Sequence, residues 1–360
     1  MFTEQQNMYF ASANTSEGFI SYFDTVFDPN TLNEIIIIKG GPGTGKSWMM
    51  RTIAEAAEKR GNTVERFLCS SDPTSLDGII IKEKNLAIID GTAPHTVDPK
   101  YPGVVETILN TGIFWNKAVL FANKEKIIPL IQEKNRSYKR AYQFLKATGE
   151  IAREVELIGH AALNLKKMNA CITRIANKIF KEEQCNKEEI RLVSAFGSKG
   201  ETSLNSFELA SDHIYIIEDQ CYTSHTFLEE LYKTAKEARQ DIVKSYSCLL
   251  PNQINALWFP KTRCAFIIGE KDYENELHGK NYHYINMRRF VSGEECKNNK
   301  QKLRFGNKCM EMLLNGAQDA LSQASNAHKL LETIYISSMD FKSFEKMSNE
   351  FLNSLFGEIE

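Results

Sequence analysis

Apolar residues fall into short runs and helical stripes along the chain. Ile35 to Ile38 is an unbroken β-branched run, the pattern of a strand buried on both faces of a parallel sheet. The segment after Ser47, WMMRTIAEAAEKRG, is rich in helix formers, and Gly61 stands where a helix stop is expected. Thr63–Cys69 and Leu86–Asp90 read as the next strands. The segments that follow them, CSSDPTSLDG at Cys69–Gly78 and GTAPHTVDPKYPG at Gly91–Gly103, read as loops. Such loops leave the carboxyl ends of strands, where open α/β sheets bind ligands. From Lys117 to about Glu189 helix formers dominate. Leu157, Ala161, Leu165, Met168 and Ile172 recur there at steps of three and four, predicting one helix face. Leu303 to Phe356 also reads as mainly helical.

The pattern occurs twice. Ile214 to Leu228, IYIIEDQCYTSHTFL, lies on Ile35–Met49 without a gap at an offset of 179. Continued at that offset, twelve identical pairs fall between residues 35 and 89, among them Val64 with Val243, Cys69 with Cys248 and Lys82 with Lys261. This predicts an old duplication. The expected fold is α/β, with two related parallel-sheet cores of the P-loop NTPase type, each with a helical extension. Residues 1–190 would hold the first core and its extension (about 117–189), and 191–360 the second core with the C-terminal helices.

Between the first strand and helix the chain reads KGGPGTGKSW, and Gly40, Gly45, Lys46 and Ser47 match G-x-x-x-x-G-K-[ST] in full. Gly40, Gly41, Gly43 and Gly45 permit positive φ, so that successive amides of Gly40, Gly41, Pro42, Gly43, Thr44 and Gly45 can curl around phosphate oxygens, proline excepted as a donor. The helix N-terminus at Lys46, Ser47 and Trp48 adds free N–H groups and a positive dipole end. Lys46 would offset β- and γ-phosphate charge, and the Ser47 hydroxyl would meet Mg²⁺. Asp90, ending an apolar strand, takes the position of a Walker B carboxylate and would help hold the metal. Gly91 follows it, so the carboxylate that many ATPases carry there is missing. Thr92, His95, Asp98, Asp72 and Asp77 are further candidates, since all sit in loops at strand ends. Asx-type turns are the plainer account of Asp72 and Asp77, while His95 and Asp98 read equally as turn-forming or solvated groups. In the second copy Asp219, Gln220, Tyr222 and Ser224 replace the glycines, His225 replaces Lys46 and Thr226 keeps a hydroxyl. That loop is expected not to bind nucleotide.

Composition narrows the partners. Lys and Arg number 44 against 46 Asp and Glu, a formal net charge of −2, so no global field draws the chain to nucleic acid. The Lys/Arg-rich face of the central helical segment has Glu interleaved and reads as solvated. No apolar run approaches a membrane span, and MFTEQQNMYFASANTSEG lacks the pattern of a secretory leader. The eight cysteines form no C-x-x-C pair, which favours reduced thiols in a cytoplasmic protein.

Five segments carry a family likeness: FASANTSEGF (Phe10–Phe19), KGGPGTGKS (Lys39–Ser47), CSSDPTSLDG (Cys69–Gly78), DGTAPHTVDP (Asp90–Pro99) and YISSMDF (Tyr335–Phe341). In these the chain resembles a family of uncharacterised tandem P-loop ATPases of spore-forming bacteria. The resemblance implies a second P-loop, and the chain departs from it at Asp219–Thr226. The expected function is Mg²⁺-dependent ATP binding and hydrolysis at the first core, with an unknown protein or small-molecule partner. Two other classes stay open: a kinase using the same loop, and a nucleotide-gated binding module with little turnover. ATP is favoured over GTP because no N-K-x-D pattern is present.

Overall fold

A computed structural model describes residues 7–180, 186–219, 222–269 and 279–357. The first half runs β1 (Met8–Phe10), β2 (Ser12–Thr15), β3 (Gly18–Ser21), α1 (Phe23–Val26), β4 (Glu34–Lys39), α2 (Lys46–Glu58), β5 (Val64–Leu68), β6 (Leu76–Ile81), β7 (Leu86–Asp90) and β8 (Glu106–Asn110). Helices α3 (Lys117–Ala122), α4 (Lys124–Ala161) and α5 (Leu165–Ile179) follow. The second half repeats the order as β9 (Glu188–Ile190), β10 (Ser194–Gly197), β11 (Gly200–Ser203), α6 (Ser206–Leu209), β12 (His213–Glu218), α7 (Ser224–Glu237), β13 (Ile242–Tyr246), β14 (Ile254–Phe259), β15 (Cys264–Ile268), β16 (Asn281–Asn286), α8 (Gly293–Asn298), α9 (Lys300–Ile336) and α10 (Phe341–Phe356). Among the described residues no helix is long and apolar enough to cross a membrane.

Each half forms a six-stranded sheet, in the orders β1-β5-β6-β7-β4-β8 and β9-β13-β14-β15-β12-β16. The sheets are mixed rather than parallel throughout: β6 runs antiparallel to β5 and β7, as β14 does to β13 and β15. Residues 76–81 thus form a strand where loop was expected up to Gly78. Asp77 and Gly78 interrupt the apolar pattern, but all six positions are buried. Gly78 is needed there, since a Cβ would come 2.6 Å from Phe27 Cζ. Even the irregularities coincide: the register slips between Phe67 and Leu68 in β5, and between Ser245 and Tyr246 in β13.

These pairings correct the gap-free register. An offset of 179 relates β4 to β12, but 178 relates α2 to α7 and β5–β7 to β13–β15. The buried positions Lys46, Met49, Met50, Ile53 and Ala57 of α2 coincide with Ser224, Phe227, Leu228, Leu231 and Ala235 of α7. Gly61 at φ +81° coincides with Arg239 at φ +52°. The lost residue belongs to the β12–α7 loop, which runs 219–223 where the first runs 40–45. Ser224, not His225, therefore stands in the place of Lys46, His225 in that of Ser47 and Thr226 in that of Trp48, so the second repeat does not keep the hydroxyl expected at Thr226. Val64/Val243, Cys69/Cys248 and Lys82/Lys261 are not equivalent positions. Strand order and bulge carry the duplication more firmly than those identities do.

The alternation along β4 explains the layering. Ile36 and Ile38 pack with Met49, Met50 and Ile53 of α2, while Ile35 and Ile37 face the second sheet and join Ile214 and Ile216 in one core. Two sheets thus lie face to face between outer helices, and both faces of each strand need apolar side chains. The helical extensions are exchanged rather than kept by their own cores. Helix α4 has 38 residues, about 57 Å at 1.5 Å per residue, and carries the chain past its own sheet. Met168 and Ile172 of α5 pack with α7, and Phe344 and Leu352 of α10 pack with α2. Helices α4 and α9 run antiparallel, each beginning at the other's end: Asn116 N donates to Ser338 O (2.7 Å) and Ser292 N to Ala162 O (2.9 Å). The expected stripe from Leu157 to Ile172 is broken by the turn between α4 and α5. Met168 and Ile172 are buried, whereas Leu157 and Leu165 are exposed.

Candidate functional site

The loop between β4 and α2 is shaped by what its glycines allow. Gly43 and Gly45 take φ of +66° and +84°, a region unfavourable to other residues. A Cβ on Gly40 would lie 2.0 Å from Thr111 Oγ1. Thr111, just after β8, donates to Lys39 O (3.1 Å) and approaches Thr44 Oγ1 (3.2 Å), and Thr44 Oγ1 donates to Gly41 O (2.9 Å). Because Gly45 has no side chain, no side-chain cap closes the first turn of α2. Its N–H groups stay available to an anion.

Lys46 is buried, and its Nζ donates to Gly40 O (3.2 Å) and Gly41 O (2.8 Å). Asp90 Oδ2 lies 3.5 Å away, the pairing a buried ammonium requires. Thr92 orients that carboxylate, donating from N (2.9 Å) and Oγ1 (2.6 Å) to Asp90 Oδ1. Ser47 Oγ accepts from Leu76 N (3.0 Å), which fixes the hydroxyl at the start of β6. Among the described residues the hydroxyl makes no other hydrogen bond. Trp48 turns outward, 46% exposed, with its ring 6.1 Å from that of Phe344.

The other sequence candidates divide. Asp98 is exposed and binds Lys39 Nζ (2.9 Å), which also donates to Gly91 O and Val97 O and ties the loop after β7 to the end of β4. His95 and Asp77 form a buried pair, Nε2 to Oδ2 at 2.9 Å, with the imidazole stacked on Phe23 at 4.4 Å. The pair lies between β6 and α1, and among the described residues Asp77 Oδ2 and His95 Nδ1 are buried without a hydrogen-bond partner. Asp77 also contributes, after burial itself, to holding the Cys69 thiol well above its ordinary pKa. Asp72 caps a turn, accepting from Thr74 N (3.1 Å) and Oγ1 (2.7 Å).

The sequence reading missed the roof of the loop, which Trp115 shares with residues of the second half. A Cβ on Gly41 would lie 3.0 Å from Trp115 and 3.1 Å from Tyr335. One on Gly43 would lie 2.9 Å from Ile336 Cγ1 and 3.0 Å from Glu332 O, and one on Gly45 2.6 Å from Phe344. His328 and Glu332 lie one turn apart on α9, Nε2 to Oε1 at 3.7 Å. Burial, with Lys134 and Lys46 nearby, pushes His328 down to about 4, so it is neutral at neutral pH. Burial, then Asp72, raises the Glu332 carboxyl above its usual range, against the pull of Lys46. The only sequence signal for this roof is the YISSMDF segment, which spans Tyr335 to Phe341.

The second loop is built differently. Asp219 Oδ2 accepts from Ser224 N at 2.6 Å, so a carboxylate of the chain meets the first amide of α7. Ser224 replaces Lys46, and Ile268 replaces Asp90 at the strand end. His225 Nδ1 lies 2.9 Å from Ile254 O, and Thr226 Oγ1 2.8 Å from His160 Nε2. Tyr222, at φ +56°, donates to Asn307 Oδ1. Gln220 lies outside the described residues. Set against protein-family models, curated proteins and solved structures, the chain matches none.

Proposed function

We propose that the first repeat binds a nucleoside triphosphate, ATP foremost, with Mg²⁺ at its P-loop and hydrolyses it. The observation that carries this reading is Lys46, held beneath the glycine loop and 3.5 Å from a strand-end carboxylate. Amides of Gly40, Gly41, Gly43, Thr44 and Gly45, with those of Lys46, Ser47 and Trp48, would cradle the phosphates. Lys46 would leave the loop carbonyls for the β- and γ-phosphate oxygens. The hydroxyl of Ser47 and the carboxylate of Asp90 fit a Mg²⁺ ion, which takes few protein ligands beside waters and phosphates. That ion supplies charge neutralisation of the phosphates when bound.

The second repeat is proposed not to bind nucleotide. Asp219 already occupies the helix amide that a phosphate would need, and no lysine follows. A nucleotide-coupled change between the repeats is favoured over a kinase by the roof: Tyr335, Ile336 and Phe344 of the second half touch the loop. Of the residues that could receive an acceptor in the kinase reading, Asp72 accepts from Thr74, Asp98 pairs with Lys39, and Asp77 and His95 are buried side by side. A nucleotide panel with Mg²⁺, reading affinity and phosphate release with and without acceptor alcohols, tests the proposal. Tight ATP binding with acceptor-independent phosphate release is expected. ATP affinity unaffected by Lys46→Ala would overturn it.

A further inference from the structure

We infer that Glu332, delivered by α9 of the second repeat, is the carboxylate that aligns and deprotonates the attacking water at the glycine loop of the first. This rests on the triphosphate reading above. The chain lacks a carboxylate after Asp90, and the nearby aspartates lie in other contacts: Asp72 accepts from Thr74, Asp98 pairs with Lys39, and Asp77 is buried in β6 beside His95. Glu332 comes from outside the first repeat. Its backbone packs on Gly43, and its carboxyl lies in the fields of both Lys46 and Asp72. Its nearest ion-pair neighbour among the described residues is His328, at 3.7 Å, an imidazole that is neutral at neutral pH, and Lys46 and Lys329 pull on it from farther off. The carboxylate is therefore not consumed by a strong ion pair.

The second repeat supplies an internal control. Helices α4 and α9 are in register 176 residues apart, since Asn116/Ser338 and Ser292/Ala162 make the same contact in reverse. Glu156 on α4 therefore stands where Glu332 stands on α9. There its carboxylate accepts from Gln253 Nε2 at 2.6 Å and lies 3.4 Å from His160 Nε2. Ser75 takes the place of Gln253 in the first repeat and is too short to offer such an amide. One helix position thus carries a glutamate in each repeat. It accepts a 2.6 Å hydrogen bond from Gln253 where the lysine is missing, and has only a neutral imidazole at 3.7 Å as its ion-pair neighbour, among the described residues, where the lysine is present.

In the proposed step the water oxygen bonds to the γ-phosphorus while the bond from that phosphorus to the β–γ bridging oxygen breaks. The electron pair of the broken bond leaves with the nucleoside diphosphate. The water proton passes to a Glu332 oxygen and then to solvent. The raised carboxyl pKa strengthens it as a base.

The test uses the purified full chain with Mg·ATP. Glu332→Gln keeps the side-chain shape and removes the base. Single-turnover hydrolysis is expected to fall about 100-fold or more, with the dissociation constant for ATP within about threefold of the unaltered chain. Glu156→Gln is expected to change neither. Hydrolysis by Glu332→Gln within about threefold of the unaltered chain overturns the inference. So does a parallel loss of binding, which would make Glu332 a binding residue, and so does an unaltered chain that binds ATP without turnover. Failure of the unaltered chain to bind any nucleoside triphosphate overturns the underlying reading instead.

Discussion

The two loops that follow β4 and β12 differ far more than the scaffolds holding them. The sheets share strand order, directions and a bulge at the same place. Even the capping residues agree in kind: Asn116 and Ser292 open α3 and α8, and Asn164 and Asp340 open α5 and α10. Yet one loop has six residues, with Gly43 and Gly45 at positive φ and a buried lysine after it. The other has five, with a carboxylate already bonded to the helix amide. A strand–loop–helix frame specifies where an anion could sit, and one or two residues decide whether the site is left open or filled from within. Deleting one residue and placing Asp219 at the helix start does both at once.

The helix exchange is where the comparison can be broken most forcefully. Phe344 of α10 and Met168 of α5 are equivalent positions, 2% and 0% exposed, each sealing the core of the other repeat. Phe344→Ala should cost about 3–5 kcal/mol and Met168→Ala about 2–5 kcal/mol of unfolding free energy in denaturant titrations. Only Phe344→Ala should also weaken ATP binding, because Phe344 lies against Gly45. Equal effects of both variants on ATP affinity would mean that the two loops are energetically alike.

Lys46→Ala tests the loop itself. Removing one charge-assisted contact in a site shielded from water should cost about 2–4 kcal/mol of transition-state stabilisation. Phosphate release and nucleotide affinity should fall together. Ser224→Ala, at the equivalent position, should leave both unchanged. Asp90→Asn should retain binding and lose most Mg²⁺-dependent turnover, read by comparing calorimetric affinity with phosphate release. Full turnover in Asp90→Asn would reduce Asp90 to a partner for Thr92.

What could be read from the sequence was local. Strand β4, the glycine loop and α2 are contiguous, so their order is visible in residues 34–58, and two α/β cores follow from the second Ile-rich run at 214–217. Strand β6 was hidden because Asp77 and Gly78 punctuate a buried strand at the point where Phe27 crosses it. The single-residue loop difference was masked because helical alanines and isoleucines match at several offsets. The roof of the site was out of reach for a different reason. Nothing in the spacing of Trp115, Glu332, Tyr335 and Phe344 says that α4 and α9 pass one another and exchange their helical ends. Only the packed structure joins residues about 290 positions apart, as between Gly43 and Glu332.

The smallest expected effect gives the closest test of the contrast between loops. His225→Ala and Thr226→Ala should leave ATP affinity unchanged, because His225 points to the Ile254 carbonyl and Thr226 to His160, and no lysine stands beside them. Calorimetric titration of the intact chain should then give one nucleotide bound per chain. Asp219 supports the same expectation on energetic grounds. A carboxylate about 4 Å from a phosphate costs about 1 kcal/mol even at the dielectric of water, and more where water is thin. To admit a phosphate, the second loop would also have to break the 2.6 Å bond from Ser224 N, because the Asp219 carboxylate and the phosphate compete as acceptors for that one amide. A stoichiometry of two, with the second site abolished by Thr226→Ala, would show that a loop without glycine or lysine can still hold nucleotide. The difference between the repeats would then lie in turnover rather than in binding, with Glu156 locked to Gln253 as its physical cause.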